Sequence, residues 1–349
     1  MKSVGIVTLF GLYNFGNRLQ NYAVQEIFRE YGFEVMTIVS SEREFKNELK
    51  FWGKSAKNGM LIRALKFHRF NKRYIPIYTV QNHPVIFPKS LGDKFTYYAV
   101  GSDQVWNPNI RKNQRDNFFL KFADPEKRIA IAPSIAVDVI PDEWRECYID
   151  GLNGFKKISV RESNSVELIN GLVEKDVSVL ADPTIVIPIE KWERMEKKVD
   201  KVNSPYMLVM FLGSLSSERK KAMYDYAEYY GLSIVNLSEK KWVGIAPDEF
   251  LYLVHHSEVV ITDSFHCTVF SILFNRPFAV YERSSTIRND VNVITGKRID
   301  SLLAMFSDNA EIQADNCPIT PNRLSAQSVK KVIDREKRKY ELFLSDQFA

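Results

Sequence analysis

Short apolar runs alternate along this chain with longer segments that show helical periodicity. Residues 4–10, 97–100 and 259–262 are apolar runs of strand length, and residues 18–31 form one of the amphipathic segments between such runs. Two parallel strands can be joined only by a crossover of a dozen or more residues, usually a helix. The alternation therefore predicts βαβ units and an α/β fold with buried parallel strands.

The alternation is interrupted near the middle of the chain. Residues 191–201 are highly charged, Asn203-Ser204-Pro205 breaks the pattern, and a second alternating series starts at Met207. A length of 349 residues also exceeds what one ordinary core supports. We therefore expect two Rossmann-like domains that face a cleft. Their predicted limits are 1–200 and 201–325, with a charged, amphipathic C-terminal helix in 326–349.

Composition and charge exclude several classes of protein. The net charge of +5 arises from 48 basic and 43 acidic residues, an excess too small to indicate nucleic-acid binding. No apolar segment of the sequence reaches the roughly 20 residues that a membrane-spanning helix needs. The three cysteines, Cys147, Cys267 and Cys317, lack the spacing of a metal site. They favour a reducing, cytoplasmic location and argue against structural zinc.

One stretch, residues 43–74 (the basic segment), departs from the alternation. It holds ten Lys or Arg and two Glu, interleaved with Phe51, Trp52, Phe67 and Phe70. This composition suits contact with an anionic membrane surface or an acidic polymer. The alternative is an ordinary pair of solvated helices whose aromatic side chains pack inward.

Four polar turns lie at the carboxyl ends of predicted strands, where open α/β sheets bind ligands. They are residues 11–17, residues 101–107, Arg161 with Glu162, and residues 262–267. The first turn opens a helix and offers Asn14, Gly16 and Asn17 as a cradle for phosphate or sugar. It lacks the GxGxxG spacing of dinucleotide-binding turns. The alternative is a tight turn whose glycines need a positive φ.

The second turn combines an indole ring with short polar side chains. Its candidates for substrate binding are Ser102, Asp103, Gln104, Trp106 and Asn107. An aromatic ring can stack on a sugar while the polar groups bond to its hydroxyls. The alternative assigns Trp106 to domain packing, and composition does not decide between the two.

The third and fourth turns contain charged groups. Arg161 suits a carboxylate or phosphate because its guanidinium fork can bond to either in two places, and the alternative is a salt bridge with Glu162 or another local acid. His266 follows Asp263 and Ser264 at a predicted helix start, where it can hold or transfer a proton near a bound anion. The alternative for His266 is a packed or capping histidine.

Five segments of the sequence, in this order, resemble the motifs of the polysaccharide pyruvyl transferase family, over roughly residues 3–303. The segments are Tyr13-Asn14-Phe15-Gly16-Asn17-Arg18-Leu19-Gln20-Asn21-Tyr22-Ala23; Gly101-Ser102-Asp103-Gln104-Val105-Trp106-Asn107-Pro108; Val160-Arg161-Glu162-Ser163; Leu180-Ala181-Asp182-Pro183-Thr184; and Asp263-Ser264-Phe265-His266 with the later Arg276-Pro277-Phe278.

The resemblance implies a GT-B-like fold and a transferase. The expected reaction moves a pyruvyl group from phosphoenolpyruvate, the co-substrate, to two hydroxyls of an oligosaccharide or lipid-linked glycan, as a cyclic ketal, and releases phosphate. This chemistry requires no metal and no organic cofactor. The acceptor side is expected in the N-terminal domain and the donor side in the C-terminal domain. The expected location is the cytoplasm, and contact of the basic segment with the inner face of the membrane stays open beside its packing alternative.

The resemblance also implies roles for particular residues. His266 is the expected acid that protonates the donor's vinyl carbon, and Arg161 and Arg298 are the expected cations. Asp103 or Asp263 is expected to accept hydroxyl protons, or Asp263 orients His266. Ser134 completes the expected substrate-binding set. Two other functions remain open on the same sequence, namely a sugar-nucleotide glycosyltransferase and a non-catalytic glycan-binding protein.

The sequence departs from the family pattern at two places. The family usually has Gly after the histidine, where this chain has Cys267, and it usually has Ala-Ser-Phe-Gly where this chain has Pro133-Ser134-Ile135-Ala136. Both departures replace a glycine near the expected cleft, so we expect altered loop geometry there. Cys267 is expected to be a small buried residue, although a helix start can lower the pKa of a thiol.

Overall fold

The computed structural model describes residues 2–10, 14–40, 61–82, 85–110, 112–283, 296–315 and 317–348. The chain divides into two compact units, and each contains more than one stretch of sequence. The first unit comprises Met1–Asn58, His68–Ile187 and Arg335–Ala349, and the second comprises Gly59–Phe67 and Pro188–Asp334.

The first unit is built on a five-stranded parallel sheet. Its strands are β1 (Ser3–Val7), β2 (Glu34–Ser40), β3 (Ile77–Val80), β4 (Tyr97–Val100) and β5 (Arg128–Ala130). Their order is β3-β2-β1-β4-β5, which is the order of a Rossmann sheet. A further parallel pair, β6 (Ile158–Val160) and β7 (Val177–Val179), follows in the chain. The central strands consist almost entirely of buried apolar residues, as parallel sheets covered on both faces require.

The helices of the first unit follow its strands. They are α1 (Phe15–Glu30), α2 (Leu61–Tyr74), α3 (Arg115–Phe118), α4 (Asp142–Asn153), α5 (Asn164–Asn170) and α6 (Pro183–Val186). Helix α2 begins in residues of the second unit and ends in the first. The large cluster of buried side chains in the first unit includes the rings of Tyr98, Trp106, Phe119 and Tyr148.

The second unit has its own five-stranded parallel sheet. Its strands are β8 (Tyr206–Met210), β9 (Ser233–Asn236), β10 (Val259–Thr262), β11 (Phe278–Tyr281) and β12 (Ile312–Gln313), and their order is β12-β11-β10-β8-β9. Counted from the first strand of the unit, this is the flavodoxin-like order 2-1-3-4-5. Its helices are α7 (Ile189–Met195), α8 (Ser217–Tyr229), α9 (Pro247–His255), α10 (Phe265–Leu273) and α11 (Gly296–Phe306). The predicted α/β class with two Rossmann-like domains is confirmed.

The long helix α12 (Ala326–Phe348) returns the chain to the first unit. The Phe348 ring lies 5.0 Å from that of Phe33 and 5.3 Å from that of Tyr97, centroid to centroid. The Tyr340 hydroxyl donates a hydrogen bond of 2.7 Å to the carbonyl of Ala181. The first unit is therefore completed by residues that follow the whole second unit in the sequence.

The basic segment is described only in part. Residues 43–60, including Phe51 and Trp52, lie outside the described residues. Residues 61–74 form helix α2, and its Phe67 and Phe70 side chains are buried. The burial of these two rings agrees with the interpretation that the aromatic side chains pack inward. Contact of the basic segment with a membrane surface stays a prediction. Within the described parts of the chain, no helix combines the length and apolar character needed to cross a bilayer.

Candidate functional site

In the first unit, polar side chains meet where β1 and β4 end side by side. After β1 the chain forms β2 and β3 on one side of β1, and it then crosses over to form β4 on the other side of β1. A crevice forms at the carboxyl ends of β1 and β4, where the strand order reverses. The Thr8 hydroxyl donates to the carbonyl of Ser102 over 3.1 Å and accepts from the Gln20 amide over 2.9 Å. The second predicted turn is thereby fixed to the end of β1.

Asp103 has an unusual backbone conformation at the centre of this turn. Its φ of 77° lies in the left-handed region, which non-glycine residues seldom adopt and which is often found at functional sites. Its carbonyl accepts from the amides of Val105 and Ser134, both over 2.8 Å, and its carboxylate accepts from the Gln104 amide. The Ser134 hydroxyl is buried and has no hydrogen-bond partner among the described residues. Such a group calls for a ligand or water.

Trp106 is a packing residue, so the prediction that its ring stacks on a sugar is corrected. The side chain is 2 % exposed, and its indole N–H donates to the Phe118 carbonyl over 3.0 Å. Its ring packs against those of Phe119 and Phe155 at centroid distances of 5.6 and 5.7 Å. A ring covered in this way offers no face to a ligand.

The remaining amides of the second turn bond to each other. The Asn107 side-chain amide donates to the Gln104 side-chain carbonyl over 3.0 Å, and the Asn107 side-chain carbonyl accepts from the backbone amide of Asn109 over 2.9 Å. Asn107 is buried, whereas Gln104 is partly exposed. These contacts shape the turn, and substrate binding by the two amides stays a prediction.

Arg161 lies in a buried ionic cluster. Its guanidinium bonds to Glu162 and to Asp182, both over 2.9 Å, and the Ser102 hydroxyl donates to the same Asp182 oxygen over 3.2 Å. Burial alone lowers the pKa of Arg161, but the carboxylates of Glu162, Asp182 and Asp103 together raise it above its usual value. The salt-bridge alternative therefore describes its contacts, and a bond from Arg161 to substrate stays a prediction.

The first predicted turn is more helical than expected. Helix α1 begins at Phe15, and the Asn14 side chain caps it by accepting from the Asn17 amide over 3.2 Å. Gly16 lies in the first helical turn without a positive φ, so the interpretation of a tight turn is wrong for Gly16. The Asn17 side chain donates to the carbonyl of Leu9 over 3.3 Å. Residues 11–13 of the predicted cradle lie outside the described residues.

Arg18 is a cation that the sequence interpretation did not select. It is fully buried in α1, and its guanidinium lies 3.7 Å from the centroid of the Phe10 ring. An arginine is almost never buried unless it is paired or stacked. Its position directly after the first turn, within the first of the five family-like segments, could have marked it.

In the second unit, the fourth turn lies where β8 and β10 end side by side, the switch point of that sheet. Asp263 is fully buried there, and its two carboxylate oxygens accept from the backbone amides of Leu212 and Gly213 over 2.7 and 2.8 Å. The carboxylate therefore holds the turn after β8 against the end of β10. This arrangement favours a positioning role for Asp263 over that of a base.

His266 is the second residue of helix α10, which begins at Phe265, two residues earlier than predicted. Ser264 is the N-cap residue, but its side chain makes no capping hydrogen bond. The Ser264 amide donates to the Thr262 hydroxyl over 3.0 Å. The positive end of the helix dipole thus meets a histidine at the carboxyl end of β10, which suits a bound anion.

Arg283, which follows β11, is a second cation that the sequence interpretation missed. Its Nε lies 3.6 Å from an Asp263 carboxylate oxygen, and its Nη2 donates to the Asp263 carbonyl over 3.3 Å. A quarter of its side chain is exposed. The predicted cation Arg298 is buried on α11. Arg283 could have been found from its place after a strand that neighbours β10.

The two departures from the family pattern have different structural outcomes. Ala136 has a φ of 54°, so it keeps the left-handed conformation that a glycine adopts without strain. Cys267 is helical and fully buried, and burial raises the pKa of its thiol to about 12. The altered loop geometry stays a prediction. The pKa of the Cys267 thiol is shifted in the direction opposite to the effect of a helix start.

The predicted site residues fall into two groups. The second unit carries Asp263, Ser264, His266 and Arg298, and the first unit carries Asn14, Gly16, Asn17, Ser102, Asp103, Gln104, Trp106, Asn107, Ser134 and Arg161. Within the first unit, hydrogen bonds connect Asp103 to Ser134 and connect Ser102 to Arg161 through Asp182. The turn residues of both groups follow strands: residues 101–107 come after β4, and Asp263, Ser264 and His266 come after β10.

Two parallel sheets, each with a polar turn at its switch point, define a Rossmann-like protein of the GT-B-like class. The UDP-GlcNAc 2-epimerase from Neisseria meningitidis, solved with UDP-GlcNAc, shares this fold with a TM-score of 0.52 at 13 % identity, over 99 % of this chain and 100 % of that chain. The chain belongs to the polysaccharide pyruvyl transferase family, whose sequence model matches residues 14–285.

Two further solved structures are similar at lower scores. The UDP-GlcNAc 2-epimerase from Methanocaldococcus jannaschii gives a TM-score of 0.48 at 12 % identity, over 96 % of this chain and 99 % of that chain. MurG from Acinetobacter baumannii gives 0.46 at 13 % identity, over 99 % and 100 %. No curated protein matches the chain significantly.

Proposed function

We propose that this protein transfers a pyruvyl group from phosphoenolpyruvate to two hydroxyls of a surface-polysaccharide precursor, with formation of a cyclic ketal and release of phosphate. Membership of the pyruvyl transferase family supports the reaction class. The observation that carries the proposal is the turn after β10, where His266 lies in the first turn of helix α10 and Arg283 bonds to the nearby Asp263. A proton donor, a cation and a helix dipole are what this donor requires.

The donor carries a phosphate and a carboxylate, so its binding site must supply positive charge. The amino end of α10 favours an anion through its dipole. Arg283 has one of its bonds to the Asp263 carbonyl and keeps part of its side chain exposed. We assign the donor phosphate to the start of α10, with Arg283 and the predicted Arg298 as its cations.

The reaction begins with proton transfer to carbon. His266 gives a proton to the vinyl CH2 of the donor, which leaves oxocarbenium character on the neighbouring carbon. One acceptor hydroxyl adds to that carbon and passes its proton to Asp103, and phosphate then leaves with the C–O bonding pair. The second hydroxyl closes the ketal and gives its proton to the departing phosphate, while the proton on Asp103 returns to His266 through solvent. The steps balance without a metal or an organic cofactor. Asp263 positions the turn, because both of its oxygens already accept backbone hydrogen bonds.

The acceptor is assigned to the polar turn of the first unit. Asp103 has a strained backbone and a carboxylate, and Ser134 has a buried hydroxyl without a partner among the described residues. These groups suit the binding and deprotonation of sugar hydroxyls. Arg161 then acts indirectly, since its ion pairs hold Asp182 in place beneath Ser102.

The test is incubation of the purified protein with phosphoenolpyruvate and extracted lipid-linked glycans. We expect phosphate release and a pyruvate ketal in the mass spectrum of the glycan. Replacement of phosphoenolpyruvate by nucleotide sugars, with release of nucleoside diphosphate, would instead establish a glycosyltransferase. Glycan binding without turnover of either donor would establish a binding protein.

The role of His266 is tested by His266→Ala. Loss of a general acid lowers turnover by about 10²–10⁴-fold, and we expect a loss in this range with an unchanged circular dichroism spectrum. The matched control is His68→Ala, because His68 is an exposed histidine on α2. Near-normal phosphate release by His266→Ala would reject the assignment.

A further inference from the structure

Two helices of the second unit end close together and bring three metal-ligating side chains to one place. Glu196 directly follows α7, His255 is the last residue of α9, and His256 follows it. One ligand atom from each of the three residues lies within 4.8 Å of the others. Two imidazoles and one carboxylate are a common ligand set for zinc and related cations.

The three groups already bond to one another. His255 Nδ1 lies 2.6 Å from Glu196 Oε1, and His256 Nε2 lies 3.2 Å from Glu196 Oε2. An ionised carboxylate only accepts hydrogen bonds, so the ring nitrogen of each histidine that faces it carries the hydrogen and donates a hydrogen bond. A metal ion can replace these protons and take the same atoms as ligands. With bonds of about 2.0–2.2 Å, ligand atoms on a tetrahedral zinc lie about 3.3 Å apart. The ligand atoms here lie within 4.8 Å of one another, so metal binding requires them to approach by about 1.5 Å at most.

Both imidazole rings are held in orientation by aromatic neighbours. The His255 ring stacks on that of Phe274 at a centroid distance of 4.4 Å and an angle of 11°. The His256 ring lies 4.3 Å from that of Tyr252 at an angle of 35°. Ligands fixed before binding lose little conformational freedom on binding, which favours affinity.

Electrostatics and access also suit a cation at this place. The carboxyl end of α9 presents the negative end of its dipole to the pair of histidines. The Glu196 side chain is 11 % exposed, whereas that of His256 is 47 % exposed. One side of the cluster therefore opens to solvent, where water can complete the coordination shell.

We propose that Glu196, His255 and His256 form a binding site for a divalent transition-metal ion, with zinc as the fitting example. The ion ties the end of α7 to the end of α9. The site is distinct from the proposed donor site. His256 precedes the amino end of β10, whereas Asp263 follows its carboxyl end. The metal has no part in the proposed pyruvyl transfer.

The proposal is tested on tag-free, metal-depleted full-length protein by calorimetric titration with zinc chloride. We expect one equivalent to bind and the melting temperature to rise on zinc addition. Cobalt(II) is a second probe, because a cobalt ion with four ligands gives intense visible absorption bands. These bands should disappear when zinc is added and replaces the cobalt. Absence of stoichiometric zinc binding by the wild-type protein would overturn the proposal.

The ligands are identified by His256→Ala and Glu196→Gln, with the exposed His68→Ala as the matched control. Loss of an outer-shell partner weakens metal binding by about 10–100-fold, so loss of a ligand is expected to weaken zinc affinity at least that much. His68→Ala should bind zinc as the wild type does. Equal zinc affinity of all three variants would refute the assignment, and phosphate release measured in parallel keeps this outcome separate from the proposed function.

Discussion

Replacement of Arg161 by methionine tests the buried ionic cluster of the first unit. The Arg161 side chain is 3 % exposed, and its partners Glu162 and Asp182 are 5 % and 0 % exposed. Arg161→Met keeps much of the side-chain volume but leaves two carboxylates without their cation in a region that excludes water. Removal of one partner from a buried ion pair costs about 3–5 kcal/mol, because the remaining charge stays buried and uncompensated.

The assay is thermal unfolding followed by circular dichroism. A loss of 1 kcal/mol lowers the melting temperature of a 150–250-residue domain by about 2–4 °C, so a decrease of roughly 6–20 °C is expected. The control is Lys221→Met, which breaks an exposed ion pair with Asp225 and should cost less than about 1 kcal/mol.

A double variant separates charge from packing. Arg161→Met combined with Asp182→Asn removes the cation and one carboxylate together, while the Asn side-chain oxygen can still accept from Thr184. We expect the double variant to be more stable than the sum of the single changes indicates. An Arg161→Met protein within about 1 kcal/mol of the wild type would refute the reasoning, because the carboxylates would then not depend on Arg161.

Three further outcomes follow from the structure. Ala136→Gly relieves a positive φ that costs a non-glycine residue about 1–2 kcal/mol. The free energy of unfolding of this variant, measured in urea, should equal that of the wild type or exceed it by up to about 1 kcal/mol. A clearly less stable variant would contradict the positive φ. Because burial raises the pKa of the Cys267 thiol to about 12, a thiol reagent at pH 8 should label the exposed Cys317 in the folded protein and Cys267 only after unfolding. Rapid labelling of Cys267 in the folded protein would disprove its burial. Burial also raises the pKa values of Tyr22 and Tyr281 to about 12, from 10.0. The folded state therefore binds these protons more tightly than the unfolded chain, and the free energy of unfolding should fall as pH rises from about 10 to 12. Melting temperatures measured over this pH range test the prediction, and an unchanged melting temperature would contradict it.

The sequence predicted the sheets better than the ends of helices. The strands Tyr97–Val100 and Val259–Thr262 have the predicted limits, because each is a continuous apolar run that ends at Gly101 or Asp263. Helix α10 began two residues early, at Phe265. Its first turn contains hydroxyl and imidazole side chains, whose composition resembles that of a loop, so the sequence did not mark the start of the helix.

Contacts between distant residues were beyond the sequence. The assignment of Trp106 depended on its bond to Phe118 and its packing on Phe155, which composition does not contain. Glu196 and His255 are separated by 59 positions, so no spacing rule for metal sites applies to them. The edge strand Ile312–Gln313 has only two residues, too few for a period.

The position of helix α12 has a consequence for the biosynthesis of the protein. Phe348 packs on Phe33 and Tyr97, which leave the ribosome before residues 188–334 of the second unit do. During translation the apolar surface around Phe33 and Tyr97 therefore stays uncovered until the second unit and helix α12 have been synthesised. A ribosome stalled before residue 335 would hold a first unit that lacks its final helix, and such a chain is a natural substrate for chaperones.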